Sequence, residues 1–210
     1  MDVSKLVERA DEAAERRNYD YAIDLYLQAC KLDPNNAFAR RKLRAVENRM
    51  AKEKGTSFWS KTKGAGLTVQ VQGLFLAKKY DATIEKAEDV LKICPENIGV
   101  QMLLGRALVC GGYRKSAIAT FEDIKNANAS GNVKQLVETL RELAIVYEAD
   151  GRIKDAQDIW LNLLKLVPGD REANVKIRDL SAKTMTETIQ NAAIAGERGS
   201  AARTTQTNIQ

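Results

Sequence analysis

The sequence contains no histidine. That removes the Ser-His and Cys-His nucleophile pairs and the commonest general base near neutral pH. It also leaves no imidazole to complete a zinc site. The three cysteines, Cys30, Cys94 and Cys110, are odd in number, scattered and without a CxxC spacing. They read as reduced thiols, neither a disulfide framework nor a metal cluster. Only three prolines interrupt the 210 residues, which favours long helices. No stretch approaches the roughly 20 apolar residues that cross a bilayer. The opening MDVSKLVERADEAAERR is amphipathic and lacks the apolar core of a secretory leader. Gly64 to Gly66 and the pair Gly111-Gly112 follow no predicted strand, so no phosphate-cradling loop is expected. Carboxylates such as Glu85 and Glu88 are spaced like a solvated helix face. The expectation is a cytoplasmic, non-enzymatic protein with no cofactor or metal.

What the chain does have is helical periodicity. In LRELAIVYEADGRIKDAQDIWLNLLKLVP, residues 140 to 168, Leu140, Leu143, Ala144 and Tyr147 share one helical face. Gly151 marks a turn, a second helix carries Ala156, Ile159, Trp160 and Leu163, and Pro168 ends it. The same pattern occupies Asp2 to Pro34, with Asn18 at the turn. Ala22 answers Ala156, Tyr26 answers Trp160 and Pro34 answers Pro168. A lone hairpin of this kind cannot bury its apolar faces and needs stacked neighbours.

These repeated slots resemble the tetratricopeptide repeat, a helical pair of about 34 residues. Its small slot falls at Ala10, Val71, Gly105 and Ala144. Its alanine slot falls at Ala22, Thr83, Ala117 and Ala156, and its bulky slot at Tyr26, Ala87, Phe121 and Trp160. Closing prolines are Pro34, Pro95 and Pro168. The second unit departs most, and the third lacks its proline. The resemblance implies an all-α superhelix, an α-α solenoid of about four helical hairpins. An extra helix, Ala37 to about Lys54, follows the first hairpin, and a C-terminal capping helix follows Pro168. The spacing places an insertion near Asn126 to Val133. The organisation predicted is an N-terminal repeat with the extra basic helix (1–54), a loop or hinge (55–66), three repeats plus cap (67–195) and a disordered tail (196–210).

Two surfaces stand out. The resemblance implies that first helices line a concave groove. That places Gln72, Phe75 and Leu76 there, then Met102, Arg106, Val109 and Cys110, then Arg141, Ile145 and Glu148. A mixed apolar groove suits an amphipathic helix or an extended peptide with apolar anchors. The family's acidic-terminus specificity is not implied, because Val7 and Asp11 stand where its lysine and asparagine clamp would be. The apolar residues are alternatively covered by the terminal helix or a second subunit. The other surface is basic: Arg40, Arg41, Lys42, Arg44, Arg49, Lys52, Lys54, Lys61 and Lys63, opposed only by Glu47 and Glu53, with Phe58 and Trp59 among them. It reads either as a solvated face or as a contact for an acidic protein segment. Anionic lipid or nucleic acid is the weaker reading, because aromatics are too few for a stacking platform. The function expected is a protein-interaction scaffold, with self-association into a larger assembly as the alternative.

Overall fold

In the computed structural model, residues 2–54, 58–127 and 131–186 are described, with side chains for all of these except 54 and 58–65. Among them lie ten helices and no strand. They are α1 (Val3–Glu15), α2 (Tyr19–Leu32), α3 (Ala37–Lys54), α4 (Phe58–Leu76), α5 (Tyr80–Ile93), α6 (Ile98–Cys110), α7 (Arg114–Ala127), α8 (Val133–Ala149), α9 (Ile153–Leu166) and α10 (171–186). The pairs α1/α2, α4/α5, α6/α7 and α8/α9 are antiparallel hairpins, and α3 stands alone between the first two. The fold is an all-α superhelix of repeated helical pairs.

The packing slots explain the hairpins. Gly105 faces the ring of Phe121 so closely that a Cβ would lie 2.6 Å from it. Ala10 with Tyr26 and Ala144 with Trp160 fill the same slots, all fully buried. The second unit inverts the sizes. Val71 fills the small slot and Ala87 the bulky one, and both are fully buried. One residue has grown where the other has shrunk, the kind of volume-conserving exchange that cores tolerate best. Thr83, in the alanine slot, is accommodated because its hydroxyl donates to the Lys79 carbonyl at 2.8 Å.

The turns are built identically. Seven residues after each small slot, the chain adopts positive φ: Arg17 at 60°, Lys78 at 58°, Gly112 at 82° and Gly151 at 78°. The next residue's N–H closes each first helix, as Asn18 to Ala13, Lys79 to Leu74, Tyr113 to Leu108 and Arg152 to Tyr147. Each proline opens a second shared device. Asn36, Asn97 and Asp170 donate their backbone N–H to Asp33, Cys94 and Val167, closing a turn with proline at its second position. Their side chains then cap the next helix by accepting from Ala39, Val100 and Ala173. The third unit lacks the proline, and Asn132 caps α8 without it, accepting from Lys134 and Gln135. The extra residues before Ala144 are partly absorbed as an additional turn at the start of α8.

The loop expected over 55–66 is corrected. The chain is helical from Phe58 onward, and of that segment only 55–57 lie outside the described residues. Gly64 and Gly66 each weaken a helix by only about 1 kcal/mol, and no proline interrupts the run. The final turns predicted for the cap (187–195) and the tail (196–210) also lie outside the described residues.

Two apolar clusters form. One runs from Val71 to Leu180 through the stack and into α10. The other, centred on Leu6, Ile23, Tyr26 and Leu43, is confined to α1, α2 and α3. Each fully buried large side chain contributes roughly 1.5–3 kcal/mol to its own cluster. Between the clusters the contact includes buried ion pairs. Among the described residues α3 packs on α7.

Candidate functional site

The first helices approach one another. Among the described residues α4 contacts α6 and α6 contacts α8, while α5 and α7, and α7 and α9, touch less. The groove residues expected from the sequence lie on these first helices, α4, α6 and α8.

All three charged groove residues are engaged within the chain. Arg106 on α6 reaches α8, donating to Glu142 from Nε and to Glu138 from Nη2, both at 2.6 Å. Arg141 on α8 donates to Asp170 at 2.6 Å and to Glu172 at the start of α10. Glu148 accepts from Lys176 of α10 at 2.7 Å and from the Trp160 indole at 2.8 Å. The result is a ladder of ion pairs, each rung joining one repeat to the next. Burial disfavours the Arg106 charge, but Glu142 and Glu138 more than offset that and hold the guanidinium ionised. Met102 is corrected from the groove to the core: it is 5% exposed, with the Thr139 hydroxyl at 3.5 Å from its sulfur. Its flexible thioether fills the α6–α8 seam. Val109 is half-buried and Phe75 packs against Tyr80, their ring centres 6.0 Å apart. What stays open is Gln72, Cys110, Leu76 at 74% exposure and Ile145 at 40%.

The basic surface is divided. Arg40 and Arg44, expected on the outside, are only 3% and 7% exposed. Both pair with Glu88 of α5, and Arg44 also pairs with Glu47 one turn further along α3. The physical reason is spacing: residues 40, 44 and 47 share one face, and that face meets the stack. Arg41 is half-exposed and pairs with Glu122 of α7. Arg49 and Lys52 are exposed. Lys61, Lys63 and Trp59 lie outside the described side chains.

Glu47 and Glu88 are the buried members that sequence reasoning missed, the second having been assigned to a solvated face. The readable signal is Glu47 itself, one of two acids in a basic run and set in helical phase with two arginines. Burial pushes the Glu47 carboxyl up to about 8, with Arg44 opposing and Glu88 adding to the shift. Beside this cluster a cleft of about 630 Å³ separates α2 from α5, lined by Leu27, Ile84 and Tyr113 and rimmed by Asp24, Asp81 and Glu85. Lys31–Glu85 and Lys92–Asp24 bridge it. Cys30, at its floor, is buried, and burial pushes its thiol up to about 12.

Among the described residues no group of carboxylates and cysteines is placed to hold a metal ion, and no helix is long and apolar enough to cross a membrane. No protein-family model matches the sequence, and no curated protein does. Solved structures do match. The TPR domain of P58(IPK) aligns with 94% of this chain and 69% of its own at 14% identity, with a TM-score of 0.56. A thermophilic TPR protein of Thermus thermophilus aligns with 86% of this chain and 100% of its own at 16% identity and a TM-score of 0.49. YrrB, a TPR protein with an unusual peptide-binding site, aligns with 88% of this chain and 78% of its own at 16% identity and a TM-score of 0.46. The fold assignment rests on the first of these. The chain has the tetratricopeptide-type helical-repeat fold.

Proposed function

We propose that the chain is a non-enzymatic interaction scaffold that seats a peptide or amphipathic helix along its inner wall. The observation that carries the reading is the pairing of converging first helices with apolar side chains left open on them, Leu76 and Ile145. The ion-pair ladder fixes that wall before a partner arrives, so the partner bears most of the ordering cost. Because Arg106, Arg141 and Glu148 are engaged in cis, the ligand class favoured is apolar-anchored and carries little charge. Arg49 and Lys52, both exposed, form a secondary contact for an acidic segment.

The test is a pull-down with mass spectrometry comparing wild type with Leu76→Glu/Ile145→Glu. The variant is expected to lose a specific set of partners, with affinity falling about tenfold or more and the helical circular-dichroism signal intact. An identical set of partners captured by both chains overturns the groove assignment. Self-association is the second reading. It is favoured by Val69 on α4, an apolar side chain that is 68% exposed. A monomeric mass in sedimentation over a wide concentration range would eliminate it.

A further inference from the structure

Among the described residues, the ion pairs buried at both ends lie where α3 meets the stack. α3 has two buried faces. Ala39, Leu43 and Val46 belong to the N-terminal apolar cluster. Arg40, Arg44 and Glu47 form the other face and are buried as well. Opposite them α7 offers small or polar residues: Ser116, Ala119 and Thr120 are buried, and Asp123, in phase with them, feels the charges of Arg41 and Arg44. Small side chains there let α3 approach, and its arginines reach past them to Glu88 on α5. At the edge, the Asn35 side chain accepts from the Lys115 backbone N–H at 3.0 Å, so the module caps the first turn of α7.

The contact is also incompletely satisfied. Among the described residues the buried side-chain atoms without a hydrogen-bond partner are Arg40 Nε, Glu47 Oε1 and Ser116 Oγ, all on these two facing surfaces. Buried polar atoms are nearly always paired, and an unpaired one opposes closure. Charge pairs removed from water gain little net over their hydration. Both halves meanwhile keep their own apolar cores, so separating them exposes charge and leaves those cores intact.

We infer that α3 is a releasable, cis-docked helix: its arginine face occupies an acidic docking face on α5 and α7, and the closed chain is the self-occluded form of that face. Release uncovers Glu88, Glu122 and Asp123 together, a surface that fits a helix bearing arginines at positions i, i+1 and i+4, as Arg40, Arg41 and Arg44 stand on α3. The inference is independent of the groove reading, which concerns the opposite wall of the stack.

Hydrogen exchange on the full chain tests it. In Glu88→Arg, Arg40 and Arg44 face a third cation. Amides at the start of α7, Lys115 above all, are expected to exchange about tenfold faster or more, and those of α8 and α9 to keep wild-type protection. The charge-conserving swap Glu88→Arg/Arg44→Glu is expected to return the α7 amides toward wild type. The inference is overturned if Glu88→Arg leaves the α7 amides as protected as before. It is equally overturned if exchange rises evenly through α8 and α9 and the swap does not restore it, because the chain would then be one cooperative unit.

Discussion

At the residue scale, the four hairpin turns form an internal experiment. Gly112 and Gly151 take positive φ without a steric penalty, whereas Arg17 and Lys78 carry a Cβ into the same conformation. Arg17→Gly and Lys78→Gly are each expected to stabilise the chain by about 0.5–1 kcal/mol, strain relief outweighing the added freedom of the unfolded chain. Denaturant melts will check this. Gly105 is the converse. A methyl group there meets the Phe121 ring at 2.6 Å, and that ring is fully enclosed. Gly105→Ala should destabilise by about 1–3 kcal/mol through overpacking. Thiol chemistry gives a third residue-level readout. At pH 8, Cys110, exposed, is expected to alkylate readily, while Cys30, buried and pushed up to about 12, should react only on unfolding.

At the scale of the element, the size inversion in α4/α5 makes a specific claim about packing. Ala87→Phe places a ring opposite Val71 and is expected to destabilise by about 1–3 kcal/mol. Val71→Gly/Ala87→Phe recreates the Gly105/Phe121 arrangement and should recover part of that loss. A double-mutant cycle in urea measures the coupling. The same pair shows why the repeats were legible. A slot constrained by close packing keeps its frame even when its residues change, so Val71 and Ala87 could be placed although neither matches the pattern. The prolines were legible for a related reason, each opening a turn whose fourth residue caps the following helix. Where neither packing nor a cap marks the chain, reading failed. The start of α4 is rich in glycine, lysine and hydroxyl side chains, a loop-like composition in a segment that is helical. The seat of α3 depends on partners from 44 to 81 residues downstream, in Glu88 and Glu122, and such pairings leave no periodic trace. Met102 and Arg106 both lie on α6, but sequence spacing does not distinguish an open side chain from one drawn into the seam or engaged across it.

At the scale of the whole molecule, the buried ion cluster makes stability depend on pH. Folding moves Glu47 from the ordinary carboxylate range up to about 8, so between these values the folded chain binds more protons than the unfolded one. Its contribution is therefore fully present below about pH 4.5 and is lost as pH rises through about 8. Arg44, Glu88, Arg40 and Lys92 all act on that carboxyl. Thermal melts should show stability falling from pH 5 to pH 8, and Glu47→Gln should flatten this slope. Asp170 acts in the opposite sense. The Ala173 N–H, helped by Arg141, holds its carboxyl below the usual range, and that contribution is lost in stronger acid. The charged face of α3 also has a consequence for synthesis. Residues 3–54 carry their own apolar cluster, and Glu122 follows 68 residues after Lys54. At about 5–20 residues per second, the module waits roughly 3–14 seconds for its seat. An apolar docking face would be exposed to water and to neighbouring nascent chains for all that time. Arginine and glutamate instead keep the waiting module hydrated and lose their water only when the matching charges arrive.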